Sequence, residues 1–333
     1  MEYRTLGRTG MRVSCLCFGT MSFGGDADEE TSAAMFHRCR EQGINFFDTA
    51  NAYSAGRSEE ILGGLIADCR NEIVLTSKVC SPMGEDLNAR GLSRRHIMLA
   101  VEDSLRRLRT DRLDLYFVHQ VDPFTPMETT LRALDDLVHQ GKILYPAVSN
   151  WAAWQIARAL GVSALEGLAR FECIQPMYNL VKRQAEVEIL QLALAERMGV
   201  ITYSPLGGGL LTGKYDTQHK PDQGRLVANP AYITRYGVPA YYQIAEQFTA
   251  YAREKGYHPA TLAVAWVMTH PAITAPIIGA RNVQQLEPSL AAADVKMTPE
   301  WRAEISALSI EPPQPTDRLE TQHSIGFQVG ELR

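Results

Sequence analysis

The chain has 333 residues, 45% apolar and 21% charged, close to an ordinary globular composition. Its 33 Lys and Arg against 38 Asp and Glu leave a net charge of −5, without the basic footprint or like-charge block of a nucleic-acid binder. No apolar run reaches the ~18 residues of a membrane span, and the amino terminus lacks the apolar core of a secretory leader. A cytoplasmic protein with no membrane or nucleic-acid partner is expected.

The first residues, 1–13, read as a hairpin turning at Gly7-Arg8-Thr9-Gly10. From there strand-like and helix-like segments alternate. Strands are predicted at 14–18, 44–47, 73–76, 113–118, 143–148, 171–174, 200–202 and 275–278. Helices are predicted at 29–42, 57–69, 93–108, 126–140, 151–160, 186–198 and 282–292. Between the seventh and eighth strands lies a longer stretch, irregular over 207–238 and then helical at 240–255 and 259–269. Short apolar strands covered on both faces, in βα units with no linker, predict a single (β/α)8 TIM barrel over 1–333. A doubly wound sheet is the competing fold, but its Gly-x-Gly-x-x-Gly turn is absent after the first strand. Glu311-Pro312-Pro313-Gln314-Pro315 cannot be a regular helix. The tail 311–333 is left as a disordered end, a flap over the site or an oligomer contact. Homo-oligomer formation is left open.

The six cysteines are too few for a disulfide scaffold and read as free thiols. Cys15 and Cys17 would share one face of a strand. No second Cys or His pair has zinc-site spacing, so no metal site is expected.

In a barrel of this kind chemistry gathers where strands end. Those ends carry Asp48 through Tyr53, Ser77-Lys78, His119, Ser149-Asn150, Gln175, Tyr178-Asn179, Tyr203-Ser204-Pro205-Leu206 and Gly279-Ala280-Arg281. A lone His, Lys or Asp there is ordinarily structural or solvated. An Asp, a Lys and a His on three adjacent strands, with a Tyr five residues past the Asp, suit proton transfer to a carbonyl oxygen. Lys78 would lower the hydroxyl pKa of Tyr53 from ~10, Asp48 would orient Lys78, and His119 would hydrogen-bond the substrate oxygen. A hydride donor would complete the reaction.

Gly208 to Lys214 fits the start of a triphosphate-binding loop, but Tyr215 stands where that loop needs Ser or Thr. The run Gly207-Gly208-Gly209 with Lys214 suits a dinucleotide pyrophosphate instead. Arg281, before a predicted helix, suits a phosphate; if that is an adenosine 2′-phosphate, the cofactor is NADPH, with NADH the weaker alternative.

Phe47-Asp48-Thr49-Ala50-x-x-Tyr53, Ser77-Lys78, Val118-His119, Val148-Ser149-Asn150, Gln175, Tyr178-Asn179 and Tyr203-Ser204-Pro205-Leu206 together resemble the aldo-keto reductase superfamily. Within it, Gly213-Lys214-Tyr215 resembles bacterial general reductases and potassium-channel β-subunits. The resemblance implies a catalytic tetrad of Asp48, Tyr53, Lys78 and His119. It implies that Thr20 and Met21 line the cofactor site beside Asp48. Ser149, Asn150 and Gln175 would hold the carboxamide, and Tyr203 would stack on the nicotinamide. Ser204, Pro205, Leu206, Gly207, Gly208, Lys214 and Arg225 would follow the pyrophosphate, and Gly279, Arg281 and Gln285 the adenosine phosphate end.

Two positions depart from the pattern. Pro288 and Ser289 replace an acid and an Asn that hold adenine, and Pro146 sits in the fifth strand, where an irregularity is expected. The reading is an NADPH-dependent reductase of aldehydes or ketones, with Phe23, Tyr53, His119, Trp151 and Tyr178 as candidate walls of the substrate pocket. Its rivals are an NADP(H)-sensing regulatory subunit that docks on a partner, and an oxidising sugar, polyol or aryl-alcohol dehydrogenase.

Overall fold

A computed structural model describes residues 1–217, 221–222 and 224–316. Strands β1 (Tyr3–Thr5) and β2 (Arg12–Ser14) form the antiparallel hairpin. Eight parallel strands then close into a barrel: β3 (Cys17–Gly19), β4 (Phe46–Asp48), β5 (Val74–Val79), β6 (Leu113–Val118), β7 (Ile143–Ser149), β8 (Cys173–Gln175), β9 (Gly199–Thr202) and β10 (Ala275–Ile278). Helices α1 (Glu29–Glu41), α2 (Arg57–Leu65), α3 (Arg94–Leu108), α4 (Met127–His139), α5 (Ala153–Glu166) and α6 (Ile189–Ala195) fall between consecutive strands from β3 to β9. After β9 come α7 (Arg225–Ala228), α8 (Pro230–Tyr236), α9 (Pro239–Glu254) and α10 (Pro259–Met268); α11 (Val283–Leu290) and α12 (Pro299–Ser306) follow β10. Among the described residues no helix is long and apolar enough to cross a membrane. The predicted barrel and hairpin are both present.

The period-2 alternation of a strand sorts side chains between two cores. Phe46, Val74, Leu115, Phe117, Ala147, Cys173, Ile201 and Ala275 fill the barrel interior, whereas Phe47, Leu75, Val79, Tyr116 and Val148 pack outward with the helices. Leu6 and Val13 of the hairpin join the interior cluster and plug the barrel at the start of β9, where Leu6 lies against Gly199. The same alternation turns Asp48 inward two residues after Phe46, and Lys78 inward four after Val74.

Several boundaries differ from the sequence reading. The predicted strand 14–18 is broken, because Cys15 bonds back to the Glu2 carbonyl and the chain bends before β3. Cys15 therefore enters the outer core and Cys17 the interior, so they do not share a face. The predicted irregular stretch 207–238 contains α7 and α8. Helix α5 runs on through Gly161 to Glu166 and ends at left-handed Gly167. Pro146 causes no bulge in β7: its carbonyl accepts from Glu172 N (3.0 Å), and on that side β8 starts only at Cys173, so the missing N–H costs no ladder bond. Residues 317–333, most of the predicted tail, lie outside the described residues.

Candidate active site

Asp48, at the end of β4, and Lys78, in β5, meet inside the barrel. Lys78 Nζ donates to Asp48 Oδ2 and to the Thr49 carbonyl, each at 2.6 Å, and is fully buried. Asp48 Oδ1 accepts from Thr76 Oγ1 of β5 (2.7 Å) and Gln175 Nε2 of β8 (2.9 Å), which fixes the carboxylate from both strands. The third Lys78 contact is the Tyr53 hydroxyl at 3.4 Å.

Tyr53 sits on a strained turn. Ser54, Ala55 and Gly56 have φ of 48°, 53° and 95° in succession, conformations that cost a non-glycine residue roughly 1–2 kcal/mol each. Three anchors hold it: Ser54 Oγ donates to the Phe23 carbonyl, Ser58 Oγ to the Thr20 carbonyl, and buried Glu59 pairs with Arg107 Nε and accepts from Ser77 Oγ. The turn thus presents the phenol to the cavity from a fixed base.

Burial works against the Lys78 charge, but Asp48 and Tyr53 outweigh it, and the ammonium is held above its ordinary pKa. Burial also pushes the Tyr53 hydroxyl up, and Lys78 offsets this only in part. The lowered pKa expected from the sequence is therefore corrected. Enclosure strips water from a phenolate, and the nearby ammonium is already largely neutralised by Asp48. Tyr53 is a protonated donor across the neutral range. Burial, followed by the Lys78 charge, lowers His119 to about 4, so its ring is neutral. Its Nδ1 is enclosed without a partner among the described residues. A buried lone pair is less costly left bare than a buried N–H, which assigns the proton to Nε2.

These groups stand at one end of a cavity of about 790 Å³. Met21, Ser149, Asn150, Gln175, Tyr203, Ser204, Pro205, Leu206, Gly208, Lys214, Arg225, Gly279, Arg281 and Gln285, all named from the sequence, line it. Asn150, left-handed at φ 60°, spans the His119 carbonyl (2.9 Å) and the Tyr203 hydroxyl (2.7 Å). At the other end Gly208 has φ +68°, and a Cβ there would lie 2.7 Å from the Tyr232 ring. Only glycine permits that approach. Lys214 is depressed by burial and then by the charges of Arg281 and Arg225. Arg281 pairs with Asp26 at 3.2 Å; among the described residues Lys214 and Arg225 have no carboxylate partner.

Five expected contacts are not on the cavity wall. Thr20 Oγ1 is turned into a buried hydroxyl network with Ser58 (2.8 Å). Gly207 is buried against Leu210 and Tyr236. Phe23 packs on Phe18 and Trp151 on Phe171, in the core outside the barrel. Tyr178 stacks on Trp266 and donates to Glu186. Phe23, Trp151 and Tyr178 belong to the core outside the barrel, where their apolar area is buried. Pro288 does line the cavity, inside α11, and Glu287 is drawn away to Arg38 (2.6 Å). Ser289 is buried, and its hydroxyl has no partner among the described residues. Tyr232 and Arg235 of α8 also line the cavity. Sequence reasoning missed them, although Asn229-Pro230, a cap followed by Pro at the first helical position, carried the signal for that helix. Among the described residues no group of three His, Cys, Asp or Glu is placed to hold a metal ion.

Comparison with known proteins agrees with this geometry. Residues 15–310 match the family described as the aldo/keto reductase family. The chain belongs to that family. Among its relatives is an oxidoreductase of Bacillus subtilis (strain 168), YrpG, described as uncharacterized, 38% identical over 90% of this chain and 93% of that protein. Two plant proteins described as probable voltage-gated potassium channel β-subunits are each 35% identical. The one from Oryza sativa subsp. japonica covers 95% of this chain and 99% of itself, and the one from Arabidopsis thaliana 89% and 92%. An aldo/keto reductase is an oxidoreductase, and the barrel with Asp48, Tyr53, Lys78 and His119 at one mouth accords with that class.

Proposed function

We propose that the protein is an NADPH-dependent reductase of aldehydes and ketones, with Tyr53 as the general acid. The observation that carries this is the chain Asp48–Lys78–Tyr53, ending in a protonated phenol beside a neutral His119 at the mouth of a cavity. The far end of that cavity fits a dinucleotide. Lys214 and Arg225 await anions there, and Gly208 keeps the Gly-rich turn on the cavity wall packed against Tyr232. When bound, the reduced nicotinamide supplies the hydride for the carbonyl carbon.

This chain's residues do the rest. His119 Nε2–H donates to the carbonyl oxygen and fixes its direction. Tyr53 gives that oxygen its proton, and Lys78, kept charged by Asp48, stabilises the phenolate left behind. The raised Tyr53 pKa favours the protonated form that reduction needs.

The pH dependence follows with a definite sign. His119 stays neutral above about 4 and Tyr53 stays protonated to beyond its ordinary ~10. kcat/KM for reduction is expected to be flat from about pH 6 to 9 and to fall only in more alkaline solution. Alcohol oxidation, which needs the phenolate, is expected to rise over that range. A reduction profile that climbs through neutrality would contradict the assignment.

Cofactor choice is tested at Arg281. Arg281→Ala is expected to weaken NADPH binding roughly 10- to 100-fold, the scale of one lost hydrogen bond to a charged group, and NADH binding much less. Fluorescence titration measures both. Equal weakening of the two would remove the 2′-phosphate contact from Arg281.

A further inference from the structure

Lys214, Arg225 and Arg281 are close enough in the cavity for their charges to act on one another; a fourth cation, Arg235, lines the wall next to Arg225. Arg235 closes helix α8, lines the cavity, is half-buried, and has no carboxylate or hydrogen-bond partner among the described residues. Its guanidinium lies 5.0 Å from the centre of the Tyr232 ring, and Arg225 lies 5.4 Å from the same ring. Two guanidinium groups gathered at one ring repel each other, and the arrangement is relieved when an anion meets each of them.

Their surroundings differ. Lys214 feels Arg281 and Arg225, which places those three at the phosphate end. The Arg235 charge bears instead on the hydroxyls of Tyr203 and Tyr236. Tyr203 is bonded through Asn150 to the His119 carbonyl, so this is the reacting end. Tyr232, against which Arg235 rests, is close enough to Tyr53 to bear on its ionisation. Among the described residues Asp48 is the cavity-lining carboxylate, and Lys78 occupies it.

We propose that Arg235 binds an anionic group on the substrate, so that the preferred substrates are carbonyl compounds carrying a carboxylate or phosphate. The proposal rests on the reductase reading above and deepens it. A planar guanidinium held against an aromatic face offers paired N–H donors to such a group. With Tyr53 and His119 on the carbonyl oxygen, the anion is a second point of attachment that fixes which face of the carbonyl is presented.

The same chemistry could be met by a cofactor phosphate, and the test separates the two sources. Benzaldehyde and 4-carboxybenzaldehyde are compared in wild type, Arg235→Ala and Arg235→Lys, with NADPH affinity measured by fluorescence titration. The ratio of kcat/KM for the carboxylated over the neutral aldehyde is expected to exceed one in wild type. In Arg235→Ala it is expected to fall roughly 10- to 100-fold, and Arg235→Lys should recover part of it. NADPH affinity should stay within about twofold, on the same scale. A loss of NADPH affinity with the ratio preserved would assign Arg235 to the cofactor and overturn the proposal. An unchanged ratio with unchanged affinity would make Arg235 a bystander, also overturning it while leaving the reductase reading standing. Wild type that binds NADPH and reduces neither aldehyde would overturn both.

Discussion

Replacing Tyr53 by Phe is expected to lower kcat for carbonyl reduction by at least about 10²–10⁴, the range for removing a positioned general acid, and to leave NADPH affinity within about threefold. The hydroxyl is the sole group lost. The ring keeps its place over the Lys78 ammonium, 5.0 Å from its centre, and the turn 53–56 keeps its anchors at Phe23, Thr20 and Arg107. Loss of rate without loss of cofactor binding distinguishes chemistry from misfolding. Stopped-flow absorbance for the rate and fluorescence for binding measure the two separately. A variant retaining more than a tenth of wild-type kcat would take the proton donor away from Tyr53.

The second large effect is on stability. Lys78→Met is expected to destabilise the fold by about 3–5 kcal/mol, because it leaves a buried carboxylate without its counter-charge. Asp48 would retain Thr76 and Gln175 as donors, but two neutral hydrogen bonds do not replace an ammonium at 2.6 Å. Asp48→Asn combined with Lys78→Met removes both charges together. The double variant is therefore expected to unfold at a higher temperature than Lys78→Met alone, with strongly non-additive costs. Midpoints that simply sum would mean that the two charges are not coupled. Turnover is expected to be lost in all three variants.

Much of this was legible in the sequence, for physical reasons that differ by residue. Strand alternation turns Asp48 and Lys78 inward from the apolar residues that precede them, so pairing them needed only the strand assignment. The turn after Asp48 that brings Tyr53 back to Lys78 relies on left-handed Ser54 and Ala55, which no local preference announces. Gly208 and Lys214, which line the cavity, stood out in the sequence because a Gly-rich run followed by Lys is an unusual pattern.

What was not legible depended on burial and long-range packing. Trp151, Tyr178 and Phe23 are aromatic and follow strand ends, yet each turns to the helices, where Phe171, Trp266 and Phe18 receive them. Thr20 differs from Met21 beside it only in which way its side chain points. The sign of the Tyr53 shift was misjudged because a charge pair can be read from sequence, whereas enclosure cannot. Tyr232 and Arg235 were hidden by reading 207–238 as irregular, although Asn229-Pro230 marks a helix start.

The most direct test mixes the wild-type protein with NADPH and a panel of aromatic and aliphatic aldehydes, carboxylated ones included. Absorbance at 340 nm is followed and the products are identified by mass spectrometry. Consumption of NADPH matched one for one by formation of the alcohol, and lost in Tyr53→Phe, is the predicted result. Tight binding of NADPH that no aldehyde or ketone oxidises would contradict it.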